Sequence, residues 1–276
     1  MAPAANETEK RRWNDQYWTT VWPRREALTD NVTADLLTQL EAKPGERVLD
    51  IGSGGGKLAL AVGSQVGPEG HVVGADLSEA LVALARDRAG QAGSANVQFV
   101  VLDVQEASIP GAPFSAAMSQ FGVMFFDEPA VAFANIFRQV EWGGRLVFAC
   151  WQSMDRNPWA LGHAVGSYTP PPPTPAPGKS QPGPFALGDF QRTADVLVTA
   201  GWEEPHAEAF ERIVTVDRSA ICDDGQLAFN GVADENLPAA RDAIDRHFTQ
   251  FARADGLLEV PVAYFIVTAR KRRGSG

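Results

Sequence analysis

The chain has 276 residues, which suffices for one large domain with a core that needs neither disulfides nor a structural metal. Its 34 acidic and 24 basic residues give a net charge of −10, which argues against nonspecific binding to nucleic acid or to an anionic membrane. The two cysteines lack CxxC spacing, and no apolar run is long enough to span a membrane or to act as a secretory leader. These features predict a cytoplasmic protein.

From residue 45 onward, short apolar stretches alternate with segments of helical periodicity, a pattern typical of a parallel sheet covered by helices on both faces. Glycine-containing breaks end the helices, and Ser78 is expected to cap one of them. The predicted strands are 47–51, 71–76, 96–103, 114–122, 145–151, 203–216 and 260–270, and the clearest predicted helices are 58–66, 79–89, 130–140 and 189–202.

A glycine turn follows the first predicted strand, in the sequence DIGSGGG (50–56). Its GxGxG spacing differs from the GxGxxG of nicotinamide-binding proteins, and ligands of parallel sheets bind at such strand ends. Asp76 and Asp103 end the second and third strands, so with Asp50 three carboxylates surround the turn. They suit a ligand with a ribose, an amine and a positive charge better than a pyrophosphate. Each aspartate alone could instead cap a helix or form a turn.

The segments VLDIGSGGGKLALAV (48–62), GADLSEALVALAR (74–86) and FVVLDV (99–104) resemble the cofactor-binding half of class I S-adenosylmethionine-dependent methyltransferases. The stretch 118–151 is similar to the branch named for ubiquinone and menaquinone biosynthesis C-methyltransferases. The resemblance covers about residues 45–160. It implies a Rossmann-like sheet of about seven strands, mostly parallel with the last strand antiparallel, with helices on both faces. To this fold we expect the chain to add an inserted lid region.

The proline-rich stretch after the fifth predicted strand has no counterpart in that family. Eight of the 19 prolines lie between Pro170 and Pro184, and the stretch is either a tether or part of a lid. We expect a single domain over residues 1–276. Its parts would be an N-terminal helical segment over the site (1–44), a cofactor-binding core (45–151), the proline-rich insertion (152–188) and a C-terminal half (189–270).

The resemblance also implies a cofactor and the residues that hold it. The cofactor would be S-adenosylmethionine. The implied residues are Asp50, Gly52, Ser53 and Gly54 for the methionine moiety, Asp76 and Leu77 for the ribose, Asp103 and Val104 for the adenine edge, and Ser119 and Gln120 at the methyl-transfer face.

Aromatic side chains crowd the segments that flank the expected site and favour a planar or hydrophobic small molecule as methyl acceptor. Those before the first strand could equally pack against the domain. The candidate substrate-binding residues are Tyr17, Trp18, Phe121, Trp151 and Trp159.

The sulfonium of the cofactor is already activated, so transfer is an in-line displacement that mainly requires orientation. A general base is needed only if the acceptor must first lose a proton. His163 is the candidate for that catalytic role, although a surface or packing role is also open. The four histidines are scattered, so we expect no metal site.

Three other interpretations remain beside a small-molecule methyltransferase. The first two are a nicotinamide-dependent oxidoreductase and a catalytically inactive S-adenosylmethionine-fold binding protein. Nucleic-acid methylation is disfavoured by the acidic composition and by the sequence SQFG (119–122), which lacks an Asn/Asp-Pro-Pro-aromatic motif. The expected partner is a small-molecule acceptor, without nucleic acid or a membrane span, and the sequence leaves a homodimer open.

Overall fold

The computed structural model describes residues 6–171 and 181–272. Its strands are β1 (Arg47–Ile51), β2 (His71–Asp76), β3 (Val97–Val101), β4 (Phe114–Gln120), β5 (Val140–Trp151), β6 (Glu203–Val216) and β7 (Leu258–Arg270). They form one sheet in the order β3-β2-β1-β4-β5-β7-β6. The first five strands run parallel, and β7 is antiparallel to both of its neighbours. This confirms the predicted Rossmann-like sheet with an antiparallel last strand.

Among the described residues, three helices precede β1, and the other helices connect the strands. The helices are α1 (Glu7–Trp13), α2 (Gln16–Ala27), α3 (Asp30–Leu40), α4 (Lys57–Val66), α5 (Glu79–Ala92), α6 (Pro129–Gln139), α7 (Gly162–Val165), α8 (Phe190–Thr199), α9 (Arg218–Ile221), α10 (Asp224–Phe229) and α11 (Leu237–Phe248).

Two hydrophobic layers cover the sheet, because its central strands are apolar on both faces. Helices α3, α4 and α5 bury Leu36, Val62 and Val82 against one face. Helices α6 and α8 bury Phe133 and Leu197 against the other. Each such side chain contributes about 1.5–3 kcal/mol when fully buried. The two layers fix the strands, and therefore fix where the strands end.

A third cluster lies beside β6 and β7. The chain leaves β6, forms α9 to α11, and returns as β7. Its apolar side chains, among them Ile221, Leu227 and Phe248, pack together with Val216 and Val260 of the two strands. Helices α9 to α11 thereby place this third cluster next to the carboxyl end of β5.

Several element boundaries differ from the predictions, and two of these differences have a visible structural cause. Helix α5 continues through Gly90 and ends at Ala92, because Gly93 supplies the left-handed C-cap conformation at φ 64°. Strand β5 begins at Val140, which pairs with Phe114 of β4, so α6 ends one residue earlier and β5 begins five residues earlier than predicted. The expected cap is confirmed, since Ser78 Oγ accepts a hydrogen bond from the Leu81 amide at 3.2 Å.

The segments before β1 and after β5 reach the same edge of the sheet. Helices α1 and α2 place Trp13 and Trp22 there, and the stretch after β5 places Trp159 and Pro184 there. The centre of the predicted proline-rich insertion, 172–180, lies outside the described residues. In the described ranges no helix is long and apolar enough to cross a membrane.

Candidate functional site

The glycine turn after β1 is tied to the end of β2. The amides of Gly52 and Ser53 both donate to the carbonyl of Ala75, at 2.8 and 3.1 Å. Gly52 has φ 66°, and a Cβ there would lie 2.8 Å from Cα of Gly122, in the turn after β4. A side chain would therefore be both strained and blocked. The turns after β1 and β4 touch, backbone to backbone, at the edge where ligands of such sheets bind.

Asp50 is a buried acid beneath this turn. It lies in β1 between Gly74 of β2 and Met118 of β4, and it is 1% exposed. Its Oδ2 has no hydrogen-bond partner among the described residues, and neither has the hydroxyl of Ser53. Burial, and then the nearby Asp76, raise the pKa of Asp50 to about 8. A buried carboxyl oxygen without a hydrogen-bond partner fits a cationic ligand group, which would favour the charged form of Asp50.

Asp76 ends β2 and organises the two turns around it. Its Oδ2 accepts a hydrogen bond from the Gly54 amide and its Oδ1 accepts one from the Ser78 amide, both at 2.8 Å. Burial raises its pKa, while these amides lower it. Each carboxylate oxygen keeps a further lone pair, so the group can still accept hydrogen bonds from a ligand.

Asp103 follows β3 and is already in contact with the N-terminal segment. Both of its carboxylate oxygens accept hydrogen bonds from Nδ2 of Asn6, at 3.0 and 2.9 Å. The Gln105 amide also donates to Oδ1 at 2.9 Å. Asn6 is 1% exposed and lies over the ends of β3 and β4.

The acids border a cavity of about 120 Å³ at the strand ends, here called the inner cavity. Its walls come from the turns after β1, β2, β3 and β4 and from α1 and α2. Its lining includes Asn6, Trp13, Trp22, Gly52, Asp76, Leu77, Asp103, Val104, Gln120, Phe121 and Phe125.

A second cavity of about 290 Å³ adjoins the first and is here called the aromatic cavity. The two share Trp13, Trp22, Gly52, Gln120, Phe121 and Phe125 as lining. The second has an aromatic wall and an aliphatic wall, the latter from β6, β7 and α9. Its further apolar lining includes Trp18, Met124, Trp151, Trp159, Val214, Val216, Ile221, Val260 and Val262.

Phe121 stands where the two cavities meet. Its φ is 66°, a left-handed value that is rare for a bulky residue. Its ring stacks on Trp151 with centroids 4.1 Å apart and an interplanar angle of 12°. Trp151 in turn contacts Trp159 at 4.9 Å. Strained conformations of this kind persist only where the surroundings impose them, and they concentrate at functional sites.

Charged groups at the aromatic cavity are paired. Glu26 forms an ion pair with Arg88 at 2.8 Å, and Lys57 forms one with Asp30. No histidine, cysteine or aspartate is among the described residues that line this cavity. Gln120 is held by hydrogen bonds to the Thr29 hydroxyl at 2.9 Å and from the Thr33 hydroxyl at 2.8 Å.

The structure brings most of the predicted site residues to these cavities. Gly52, Asp76, Leu77, Asp103, Val104 and Gln120 line the inner cavity, and Gly52, Ser53, Gln120, Trp18, Phe121, Trp151 and Trp159 line the aromatic one. Asp50 lies beneath the turn, and Gly54 lies under the indole of Trp22.

Three predicted residues lie elsewhere. Tyr17 stacks on Phe229, with centroids 5.9 Å apart, and is not part of either lining. Ser119 is fully buried and its hydroxyl donates to the Ile51 carbonyl at 2.7 Å, so it supports the chain behind the site. His163 is exposed, and its Nε2 lies 2.9 Å from the Met154 carbonyl oxygen. Its placement outside both linings does not favour a catalytic role.

Asp127 lies just before helix α6 but does not cap it. Helix α6 begins after Glu128 without a side-chain cap. Asp127 Oδ2 instead accepts from the Asn6 amide at 3.2 Å, and its own amide donates to Asn6 Oδ1 at 3.0 Å. Asn6 gave no signal in the sequence, because its position depends on a contact with residues about a hundred positions away.

In the described ranges no group of three or more His, Cys, Asp or Glu is arranged to hold a metal ion.

Comparisons with known proteins identify relatives of this chain. Residues 48–144 match the family model of a methyltransferase domain. Aklanonic acid methyltransferase DauC of Streptomyces sp. strain C5 is 32% identical over 108 residues, which are 39% of this chain and 49% of that protein. The ubiquinone/menaquinone biosynthesis C-methyltransferase UbiE of Ectopseudomonas mendocina strain ymp is 38% identical over 106 residues, 38% of this chain and 41% of that protein. The chain therefore spans less than half the length of these relatives.

A solved structure extends the likeness beyond the matched segment. Phosphoethanolamine N-methyltransferase 2 of Haemonchus contortus, in complex with S-adenosylmethionine, superposes with a TM-score of 0.62 at 17% identity, over 96% of this chain and 60% of that one. The resemblance to the ubiquinone and menaquinone branch is confirmed by the match to its member. Residues 48–144 thus resemble a methyltransferase domain in sequence, and the described chain shares the fold of this solved methyltransferase.

Proposed function

We propose that this chain is an S-adenosylmethionine-dependent methyltransferase that acts on a small aromatic or hydrophobic molecule. One observation carries the proposal: two adjoining cavities, one bordered by strand-end acids and one walled by aromatic rings, meet at Phe121. A cofactor in the first and an acceptor in the second would come together at that point. The names of the two relatives, which specify aklanonic acid and ubiquinone or menaquinone biosynthesis, support a small-molecule acceptor.

The residues present fit the cofactor. The unpaired oxygen of Asp50 and the unpaired hydroxyl of Ser53 would receive the amino acid end of its methionine moiety. Asp76 would accept hydrogen bonds from the ribose hydroxyls, and Asp103 would accept one from the adenine amino group. When bound, the cofactor supplies a methyl group on a positively charged sulfur, ready for displacement.

The protein's own part in the reaction is to orient the acceptor and exclude water. The stacked Phe121 and Trp151 offer a flat surface, and Val262 and Ile221 add aliphatic lining to the same cavity. Holding reactants in near-attack geometry can lower a barrier by roughly 7–11 kcal/mol in well-oriented cases. Because Glu26 is paired with Arg88, the acceptor atom would enter as a nucleophile that needs little help from a base. Assembly as a homodimer and a cytoplasmic location remain predictions.

The binding half of the proposal is tested by titration calorimetry. We expect S-adenosylhomocysteine to bind with micromolar affinity and NADH not to bind, since the glycine spacing and the three acids suit the former. Binding of NADH without binding of S-adenosylhomocysteine would contradict the proposal and favour an oxidoreductase.

The acceptor half is tested by filling the aromatic cavity. Val262→Trp should reduce methyl transfer from radiolabelled S-adenosylmethionine to bicyclic and tricyclic phenols by at least about tenfold, because the added ring takes the acceptor's space. Binding of S-adenosylhomocysteine should stay within about twofold, since Val262 does not line the inner cavity. Val198→Trp, on the exposed face of α8, is the matched control. Equal transfer by both variants would remove the aromatic cavity from the acceptor site.

A further inference from the structure

Asn6 forms a four-bond contact with two loops at the mouth of the inner cavity. Its Nδ2 donates to both carboxylate oxygens of Asp103, at 3.0 and 2.9 Å. Its Oδ1 accepts from the Asp127 amide at 3.0 Å, and its own amide donates to Asp127 Oδ2 at 3.2 Å. The carboxamide has one consistent orientation, because a carboxylate can only accept and an amide N–H can only donate.

The chemistry of this contact matters for ligand recognition. A carboxamide NH₂ is a planar nitrogen with two donor hydrogens, as is the exocyclic amino group of adenine. Asp103, which the proposed function assigns to that amino group, already holds an equivalent donor from its own chain.

The other end of α1 is fastened as well. Asn14 donates to the Leu77 carbonyl at 3.1 Å and accepts from the Glu79 amide at 2.9 Å. Helix α1 therefore spans from the loops after β3 and β4 to the loop after β2, with one asparagine bound at each end. Between them Trp13 contacts Phe125 edge to face, with centroids 5.0 Å apart.

The strap formed by residues 6–14 lies over a small cavity. At about 120 Å³ the inner cavity is below the roughly 300–1,000 Å³ typical of small-molecule sites. Asn6 and Trp13 are part of its lining. With the strap in place, Asn6 and Trp13 therefore narrow the space at the strand ends.

We propose that Asn6 is an internal occupant of the subsite that recognises the adenine amino group, and that cofactor binding displaces it from Asp103 and lifts the strap. This rests on the proposed function for the identity of the ligand. The strap then acts as an autoinhibitory gate: the ligand's amino group replaces the Asn6 amide on Asp103, and the same carboxylate holds one or the other.

The test compares S-adenosylhomocysteine binding to the full chain, to Asn6→Ala and to Asn230→Ala. Asn230 is an exposed asparagine whose side chain bonds to the Gln226 carbonyl at 2.7 Å, away from both cavities. We expect Asn6→Ala to bind about tenfold more tightly, with a faster association rate, because the ligand no longer competes with a hydrogen-bonded side chain. Asn230→Ala should match the unmodified chain. Equal or weaker binding by Asn6→Ala would overturn the proposal and make Asn6 a constituent of the site.

A second measurement requires no variant. Hydrogen exchange of the amides in residues 6–14 should become faster when S-adenosylhomocysteine is added, because the strap is released. Slower exchange there would mean that the strap closes over the ligand, and would overturn the proposal. The proposed function fails separately: S-adenosylhomocysteine would then bind neither the unmodified chain nor Asn6→Ala. Binding to both with equal affinity would contradict only the gate.

Discussion

Replacing Gly52 by alanine is expected to lower the free energy of unfolding by about 2–4 kcal/mol and to weaken S-adenosylhomocysteine binding more than about tenfold. The reason is geometric. Gly52 has φ 66°, where an L-residue is strained, and its added methyl would lie 2.8 Å from Cα of Gly122. Backbone cannot yield as the end of a flexible side chain can, so the turns after β1 and β4 would have to separate. Both turns line the inner cavity.

The matched control is Gly90→Ala. Gly90 lies inside α5, is exposed, and has no atom within 4 Å of an added Cβ. Alanine there should raise the free energy of unfolding by up to about 1 kcal/mol, since glycine is a poor helix residue. Urea unfolding and titration calorimetry check both variants. If Gly52→Ala unfolded and bound ligand as Gly90→Ala does, the close contact of the two turns would not be required for the site.

The predictable part of this fold follows from local signals. Apolar strands separated by helical segments indicate a parallel sheet, and each of Asp50, Asp76 and Asp103 lies in or just after one of its strands. Parallel strands bring their carboxyl ends to one edge, so these acids had to come close together in space. The positive φ values of Gly52 and Gly54 agree with the sharp turn that the glycine spacing predicts.

The unpredicted part depends on contacts between distant segments. Ile221 reaches the aromatic cavity because the excursion after β6 packs against β6 and β7, and Val262 reaches it from β7 itself. Nothing in the local sequence of either residue indicates a ligand wall. The aromatic residues before β1 predict Tyr17 at the site. However, spacing on a helix does not determine which side chain a ring contacts, and the Tyr17 ring stacks on Phe229. Ser119 lies near the end of β4 as predicted, and its hydroxyl donates a hydrogen bond to the Ile51 carbonyl, a contact that the sequence does not reveal.

The raised pKa of Asp50 predicts that the free energy of unfolding decreases as pH rises, which is the opposite of the usual effect of a carboxyl group. Burial and the nearby Asp76 raise its pKa from the ordinary 3.8 to about 8 in the folded chain. Between these values the folded chain holds a proton that the unfolded chain has lost, so this group's contribution to the free energy of unfolding falls as pH rises, by at most about 1.4 kcal/mol per unit. Asp50→Asn removes the titration. The stability of that variant relative to the unmodified chain should therefore increase from about pH 4 to about pH 8 and then level off.

Urea unfolding of both proteins between pH 5 and pH 9 measures this difference, and parallel curves would contradict it.

Asp50 should also control ligand affinity, which is expected to increase as pH rises. A ligand with a cationic amino group favours the ionised carboxylate, so binding of S-adenosylhomocysteine should strengthen between pH 6 and pH 8 in the unmodified chain, by up to about tenfold per unit. Asp50→Asn should bind more weakly and show no such rise, because its amide stays neutral. A rise of equal slope in both proteins would assign the titration to another group. A stable but weakly binding Asp50→Asn would show that this buried acid is retained for the ligand at a cost to the fold.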